Sequence, residues 1–457
     1  MRTFLFSLLL PAIILPTSMM AQTHEQKVAA AAFVDAFVAR AWDRLEALSH
    51  PTMREKITRE KWVSLIDGLE QKAGPARWQE FASAEPNGSY ASIVHNIHFE
   101  KDSLAVRVVV DSVNLVGGFW LDQIKRVYHY PPPAYADPKA YTEREVVVRG
   151  AYELPATLSV PNGRGPFPAV LLVHGSGPSD RDQTIAGNKM FRDIAWGLAS
   201  RGVMVLRYEK RTKLFGAKMN RYKTTVQEET IDDAIAAIDL LATQPETDTT
   251  RIILAGHSLG ATLAPEIATK APAIDGVAML APIARPLEVV INDQLRFIAS
   301  MQDTMSVEER AKLDAELAKV AEIQEETLMP TKMLLNMPAT YYYDLHRRDQ
   351  HAYAKSLGKP ILIARGTKDY QAPQMDYLLW QDVLAGVPNT AFRTYDDCYH
   401  LFIETEATPG PWNYQQEGHV VEALIDDLAA WCTHFVLPER GIRNTGDDSP
   451  ETGGGTH

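Results

Sequence analysis

The stretch RIILAGHSLGAT, residues 251–262, runs from a β-branched apolar segment into small residues around one serine. A strand that turns into a helix within one residue needs a strained backbone at the corner. Side chains two before and two after that corner would collide, and glycine at both places removes the clash. Gly256-His257-Ser258-Leu259-Gly260 has this spacing. The reading predicts that Ser258 stands above the carboxyl end of a buried strand, at a helix N-terminus where free N–H groups favour negative charge. A bare G-x-S-x-G occurs by chance, so the weight rests on what flanks it.

Outward from this corner the chain alternates. TEREVVVRG and YELPATLSVP predict an antiparallel start. AVLLVHGSG, VMVLRYEKR, RIILAGHS, GVAMLAP, PILIARGTKD and AFRTYDDCYH read as strands, with helical segments between most of them and VVEALIDDLAAWCTHF as a final helix. Continuous apolar strands alternating with helices imply a parallel sheet buried on both faces. The series is interrupted from about 283 to 357 by a helical stretch centred on SVEERAKLDAELAKVAEIQEE, expected to form a cap over the carboxyl ends of the strands, where ligands bind in open α/β sheets. Within it, Met329, Met333, Met337 and Tyr341-Tyr342-Tyr343 fit either an acyl pocket or the buried face of a helix.

Before residue 129 the pattern differs. VAAAAFVDAFVARAWDRLEAL and TREKWVSLIDGLEQK read as helices, then SYASIVHNIHFE, SLAVRVVVDSVN and GGFWLDQIKRVYHY as strands. That is an α+β module over 24–128. The prolines of PPPAYADP mark a connector over 129–143, and the α/β domain is expected from 144 to 437. Residues 438–457, with GDDSPETGGGTH, are expected to be disordered.

MRTFLFSLLLPAIILPTSMMAQ joins a basic residue, an apolar run and a small Ala21, the pattern of a leader cleaved near residue 21 and of an exported, periplasmic or extracellular protein. An uncleaved anchor is the competing reading, disfavoured by Pro11 and Pro16. No later stretch reaches the roughly 18 apolar residues of a spanning helix, so no stable membrane insertion is expected after leader removal. A net charge of −12 argues against unaided binding to nucleic acid. Cys398 and Cys432 are the only cysteines, either paired or two buried thiols.

A serine needs a base and an orienting acid to become a nucleophile. In this architecture they follow it in the order acid, then histidine. Asp369 ends PILIARGTKD after the next-to-last strand, and His400 ends AFRTYDDCYH after the last. Asp396 and Asp397 compete with Asp369 for the acid role. The oxyanion donors should be the N–H of Leu259 and an N–H of the loop His174-Gly175-Ser176-Gly177, assigned to Ser176. His174 precedes the serine and reads as a loop-shaping residue. Asp180, Arg181 and Asp182 order that loop by an ion pair or form a solvated turn. His95 and His98 lie on one strand with opposite faces, and no metal or cofactor motif is present.

With these residues in hand, the chain from about 144 to 437 resembles an alpha/beta-hydrolase of the serine carboxylesterase kind. The carrying segments are LLVHGSGPSDRD, LRYEKR, AGHSLGA, ARGTKDYQ and YHLF. HGSGPSDRD is similar to bacterial exported esterases bearing an extra N-terminal module, and that module is similar, by element order, to nuclear transport factor 2. The resemblance implies cleavage of small-molecule acyl esters through an acyl-serine. RYEKRT stands where the family pattern has RYDKRG, which leaves the triad untouched and the neighbouring loop open. Two other readings stand beside it: a serine peptidase of the prolyl oligopeptidase kind, and a binding protein using the fold as scaffold.

Overall fold

The computed structural model describes residues 17–87, 89–100, 102–122, 130–301, 305, 307–335 and 337–438. The expected leader lies outside these residues up to position 16, and so does the expected tail beyond Pro438. The chain divides into two compact units, Met1–Val127 and Tyr128–His457.

In the first unit, α1 (Thr17–Val38), α2 (Trp42–Leu48), α3 (Pro51–Lys56) and α4 (Arg59–Ala73) precede an antiparallel sheet of β1 (Ala76–Asn87), β2 (Tyr90–Phe99), β3 (Ser103–Val110) and β4 (Val116–Asp122), in that order. The helix expected through residue 48 is broken at Arg40, which has φ 56°. There the N–H of Ala41 bonds the carbonyl of Ala36 at 2.8 Å and that of Arg40 bonds Phe37 at 3.2 Å, a Schellman ending. The Arg40 guanidinium pairs with Asp67 and Glu70 of α4, each at 2.7 Å. Strand β1 is an addition to the expected elements. Two register shifts interrupt its period, and it tolerates Pro86 because it is an edge strand.

In the second unit, β5 (Tyr141–Arg149), β6 (Glu153–Pro161) and β7 (Phe167–Val173) are followed by a two-stranded hairpin of β8 (Thr184–Ile185) and β9 (Asn188–Lys189), then by α5 (Met190–Ala199), β10 (Met204–Tyr208), α6 (Arg211–Phe215), α7 (Asp232–Ala242), β11 (Thr247–His257), α8 (Leu259–Lys270) and β12 (Gly276–Leu280). The expected connector thus gives its last residues, Tyr141–Glu143, to β5. The insert comprises α9 (Leu287–Ser300), α10 (Val307–Gln324), a hairpin of β13 (Met333–Leu334) and β14 (Met337–Pro338), α11 (Ala339–His346) and α12 (Gln350–Ser356). Then come β15 (Ile361–Gly366), α13 (Gln374–Val383), β16 (Thr390–Tyr395) and α14 (Glu422–His434).

These strands form an eight-stranded sheet in the order β16-β15-β12-β11-β7-β10-β6-β5. It is antiparallel across β5, β6 and β10 and parallel elsewhere. Along β7, Ala169, Leu171 and Val173 join one apolar cluster while Val170 and Leu172 join another, so the strand is buried on both faces. That is the reason it reads as an unbroken apolar run. From β7 the chain crosses to β10 on one side and then to β11 on the other. The switch point therefore falls between the carboxyl ends of β7 and β11.

The insert has a small core of its own, around Ile291, Ile323, Leu334 and Tyr342. Gln350 Nε2 donates to Glu266 of α8 at 2.8 Å, which ties α12 to the sheet's helical layer, and Tyr341 of α11 packs into an apolar cluster of the main sheet. Tyr341, Tyr342 and Tyr343 are buried, while Met329 is exposed. Cys398 and Cys432 are both buried and do not form a disulfide. Among the described residues no helix is long and apolar enough to cross a membrane, and no cluster suits a metal ion.

Candidate active site

Ser258 is the one residue between β11 and α8, and it has φ 53° and ψ −117°. A non-glycine residue in that region carries strain of about 1–3 kcal/mol. A Cβ on Gly256 would sit 2.2 Å from the carbonyl oxygen of Gly260, so the first glycine clears the turn itself. A Cβ on Gly260 would meet the carbonyl oxygens of Val173 and His174 at 2.4 and 2.5 Å. The second glycine therefore clears the adjacent strand β7, not the far arm of the turn.

Asp369 follows β15, and His400 follows β16. Both are buried. His400 Nδ1 donates to Asp369 Oδ2 at 2.7 Å. The other carboxylate oxygen, Oδ1, accepts from the N–H groups of Gln371 at 2.8 Å and Ala372 at 3.0 Å. The two loops are pressed together: the N–H of Lys368 bonds the carbonyl of Cys398 at 2.9 Å, and a Cβ on Gly366 would lie 2.2 Å from that same oxygen. The competing acid Asp397 instead pairs with Lys368 at 3.0 Å, and Asp396 is exposed.

Ser258 and His400 are not hydrogen-bonded to each other in this resting arrangement, and such contacts often tighten only with substrate bound. The contact that is made runs from His257, the residue before the serine, to His400. His257 Nε2 donates to the carbonyl of His400 at 2.9 Å, and the two rings lie 4.6 Å apart. His257 Nδ1 accepts from Gln183 Nε2 at 2.6 Å. Burial, and then the neighbouring His400, hold the His257 imidazole well below its ordinary pKa.

The loop after β7 lies against the corner, since a Cβ on Gly175 would be 3.2 Å from that of Ser258. The peptide groups on both sides of Gly175 are fixed. Its N–H donates to Gln183 Oε1 at 3.1 Å, and its carbonyl accepts from Lys210 Nζ at 2.8 Å. The N–H of Leu259 opens α8, where helical donors have no acceptor within the helix. Among the described residues the N–H of Ser176 has no hydrogen-bond acceptor. His174 Nε2 donates to the Asp180 carbonyl at 2.9 Å. Burial, and then Lys210, push the His174 pKa down to about 3. Asp182 is buried and pairs with Arg207 and with Arg192 at 2.5 Å, while Arg181 pairs with Glu209 at 2.9 Å. The turn after the loop is thus ordered by ion pairs, the first of the two alternatives posed for it.

Four buried residues of this neighbourhood received no role from the sequence: Gln183 and Glu229 lie in no quoted motif, while His257 and Lys210 lie in GHSLG and LRYEKR. Lys210 belongs to RYEKRT, the one segment whose departure from the family pattern is visible in the sequence. A cavity of about 210 Å³ abuts Leu259, Thr262 and Trp380, but none of Ser258, Asp369 and His400 lines it.

The family described as serine aminopeptidase, S33, matches residues 167–406. Esterase EstD of Thermotoga maritima is 38% identical over 370 residues, covering 81% of this chain and 85% of its own. Esterase FrsA of Salmonella paratyphi B is 28% identical over 159 residues, 35% of this chain and 36% of that protein. The crystal structure of the esterase domain from a Rhodothermus marinus protein covers 64% of this chain and 97% of its own, at 17% identity and a TM-score of 0.39.

Proposed function

We infer the reaction from one premise: this chain belongs to the α/β-hydrolase family described as serine aminopeptidase, S33, and is a carboxylic ester hydrolase. The reading is that Ser258, His400 and Asp369 form its nucleophile, base and orienting acid. The observation that supports it is the 2.7 Å bond from His400 Nδ1 to Asp369, which leaves Nε2 of the same ring to accept a proton, on a histidine whose carbonyl is bonded by His257, the residue before Ser258.

His400 Nε2 takes the Ser258 proton as Oγ attacks the ester carbonyl. Asp369 holds the ring in that tautomer and offsets its charge. The N–H groups of Ser176 and Leu259 receive the oxyanion. The tetrahedral species collapses, the C–O bond to the alcohol breaks, and His400 gives its proton to the leaving alkoxide. Water then attacks the acyl-serine with His400 again as base, releasing the carboxylic acid and restoring Ser258. Small or medium acyl, acetyl and aryl esters are the proposed substrates. The basic residue and apolar run of the leader support an exported enzyme. The order of helices before an antiparallel sheet supports a nuclear-transport-factor-2-like reading of the first unit.

Ser258→Ala should remove p-nitrophenyl acetate turnover and fluorophosphonate labelling, with the circular dichroism spectrum unchanged. Retained turnover would sink the assignment. A panel of aryl esters against aminoacyl amides separates this reading from the peptidase one, which predicts faster amide cleavage.

A further inference from the structure

We propose that Lys210 is a positioning residue for the oxyanion site, acting through the single peptide group that joins Gly175 to Ser176. The inference rests on the Ser258 reading above. A trans peptide points its C=O and its N–H in opposite directions. Lys210 Nζ donates to the carbonyl of Gly175 at 2.8 Å, in a buried setting. That bond sets the plane of the peptide, and so fixes the direction of the Ser176 N–H at its other end. A cation on the carbonyl also polarises the amide and strengthens its N–H as a donor, an effect that grows where water is excluded.

The ammonium is itself held. Lys210 is buried, and Nζ is 2.5 Å from Glu229 Oε1. The other oxygen, Oε2, accepts from Tyr341 Oη at 2.7 Å, and Tyr341 belongs to α11 of the insert. Burial, and then Glu229, keep the Tyr341 phenol protonated by raising its pKa well above the ordinary value. A buried path thus runs from the insert through Tyr341, Glu229 and Lys210 to Gly175 and Ser176. No step of the reaction uses Lys210 as acid, base or nucleophile, which leaves its burial beside the loop otherwise unexplained.

The test compares Lys210→Met, which leaves Glu229 unpaired, with Lys210→Met/Glu229→Gln, which removes the pair without stranding a carboxylate. Both are assayed on p-nitrophenyl acetate and with butaneboronic acid, whose tetrahedral adduct puts an oxygen in the oxyanion site. Removing an oxyanion donor outright lowers kcat by about 10²–10³, so misdirecting one should lower it by about 10- to 100-fold. The expected result in the folded double variant is that loss in kcat, KM within about twofold, and boronate affinity weakened by a similar factor. Lys210→Arg, which keeps a buried donor cation, should recover part of the kcat. A folded double variant with wild-type kcat overturns the proposal, and so does a loss of kcat with boronate affinity unchanged. Ser258→Ala is run alongside. If it abolishes turnover while the Lys210 variants do not lower it, the positioning role falls and the nucleophile stands. If it retains turnover, the Ser258 reading itself has failed.

Discussion

His257 immediately precedes Ser258 and His174 lies two residues before Ser176, and neither is fit to be the base. Each donates one ring N–H to a backbone carbonyl, and burial holds each imidazole neutral. Their effect should appear in stability. A histidine whose folded pKa lies below its unfolded value binds its proton more readily in the unfolded chain. Stability is then full above the unfolded value of about 6.5 and falls as pH drops below it. With a folded value of about 3, His174 alone should subtract about 2 kcal/mol at pH 5, and His257 shifts stability in the same direction. The urea midpoint should therefore fall between pH 7 and pH 5. The fall should shrink in His174→Gln, whose amide nitrogen can stand where Nε2 stands. Equal falls in both proteins would show that His174 is not the source. At this scale the sequence discloses residues whose chemistry is tied to chain order, such as Ser258, Asp369 and His400. It does not disclose the roles of Gln183 and Lys210, whose bonds to the backbone of Gly175 leave no spacing to recognise, or of Glu229, whose partners Lys210 and Tyr341 lie at unrelated places along the chain.

The insert is fastened where it leaves the sheet by one carboxylate. Asp376, in the first turn of α13, is fully buried and accepts from the N–H groups of Ala284 and Arg285, each at 2.9 Å, and from the Arg285 guanidinium at 2.7 Å. A second fastening reaches the acid loop directly. Gln294 Nε2 of α9 donates to the carbonyl of Gln371 at 2.8 Å, and Phe297 stacks on Tyr370 with ring centres 5.5 Å apart. Asp376→Asn keeps the shape but removes the charge facing Arg285 and turns one acceptor into a donor. We expect a loss of about 1–3 kcal/mol in unfolding free energy, read from the denaturant midpoint. An unchanged midpoint would mean that the anchor contributes nothing net. The alternation of strand and helix was legible because strands buried on two faces are uniformly apolar. The break at Arg40 was not, because Ala41, Trp42 and Leu45 continue the helical period across it. Strand β1 was missed for the converse reason: its register shifts erase the period of two that identifies a strand.

At the scale of the whole molecule, each unit keeps its own apolar cluster. In the first, Trp62 of α4 is buried and meets Phe33, Phe37 and Phe119 at ring separations of 5.9, 5.7 and 4.9 Å. All members of that cluster come from the first unit, and every residue assigned to the chemistry comes from the second. Cooperative unfolding follows a shared core, so separate cores predict separate transitions. Trp62→Ala should destabilise the first unit by about 3–5 kcal/mol. In scanning calorimetry one transition should move to lower temperature while the other stays. At a temperature between the two, the kcat for p-nitrophenyl acetate should match that of the parent protein. If the whole endotherm shifts together and turnover is lost with it, the units melt as one body, and the catalytic unit depends on the first for its folding.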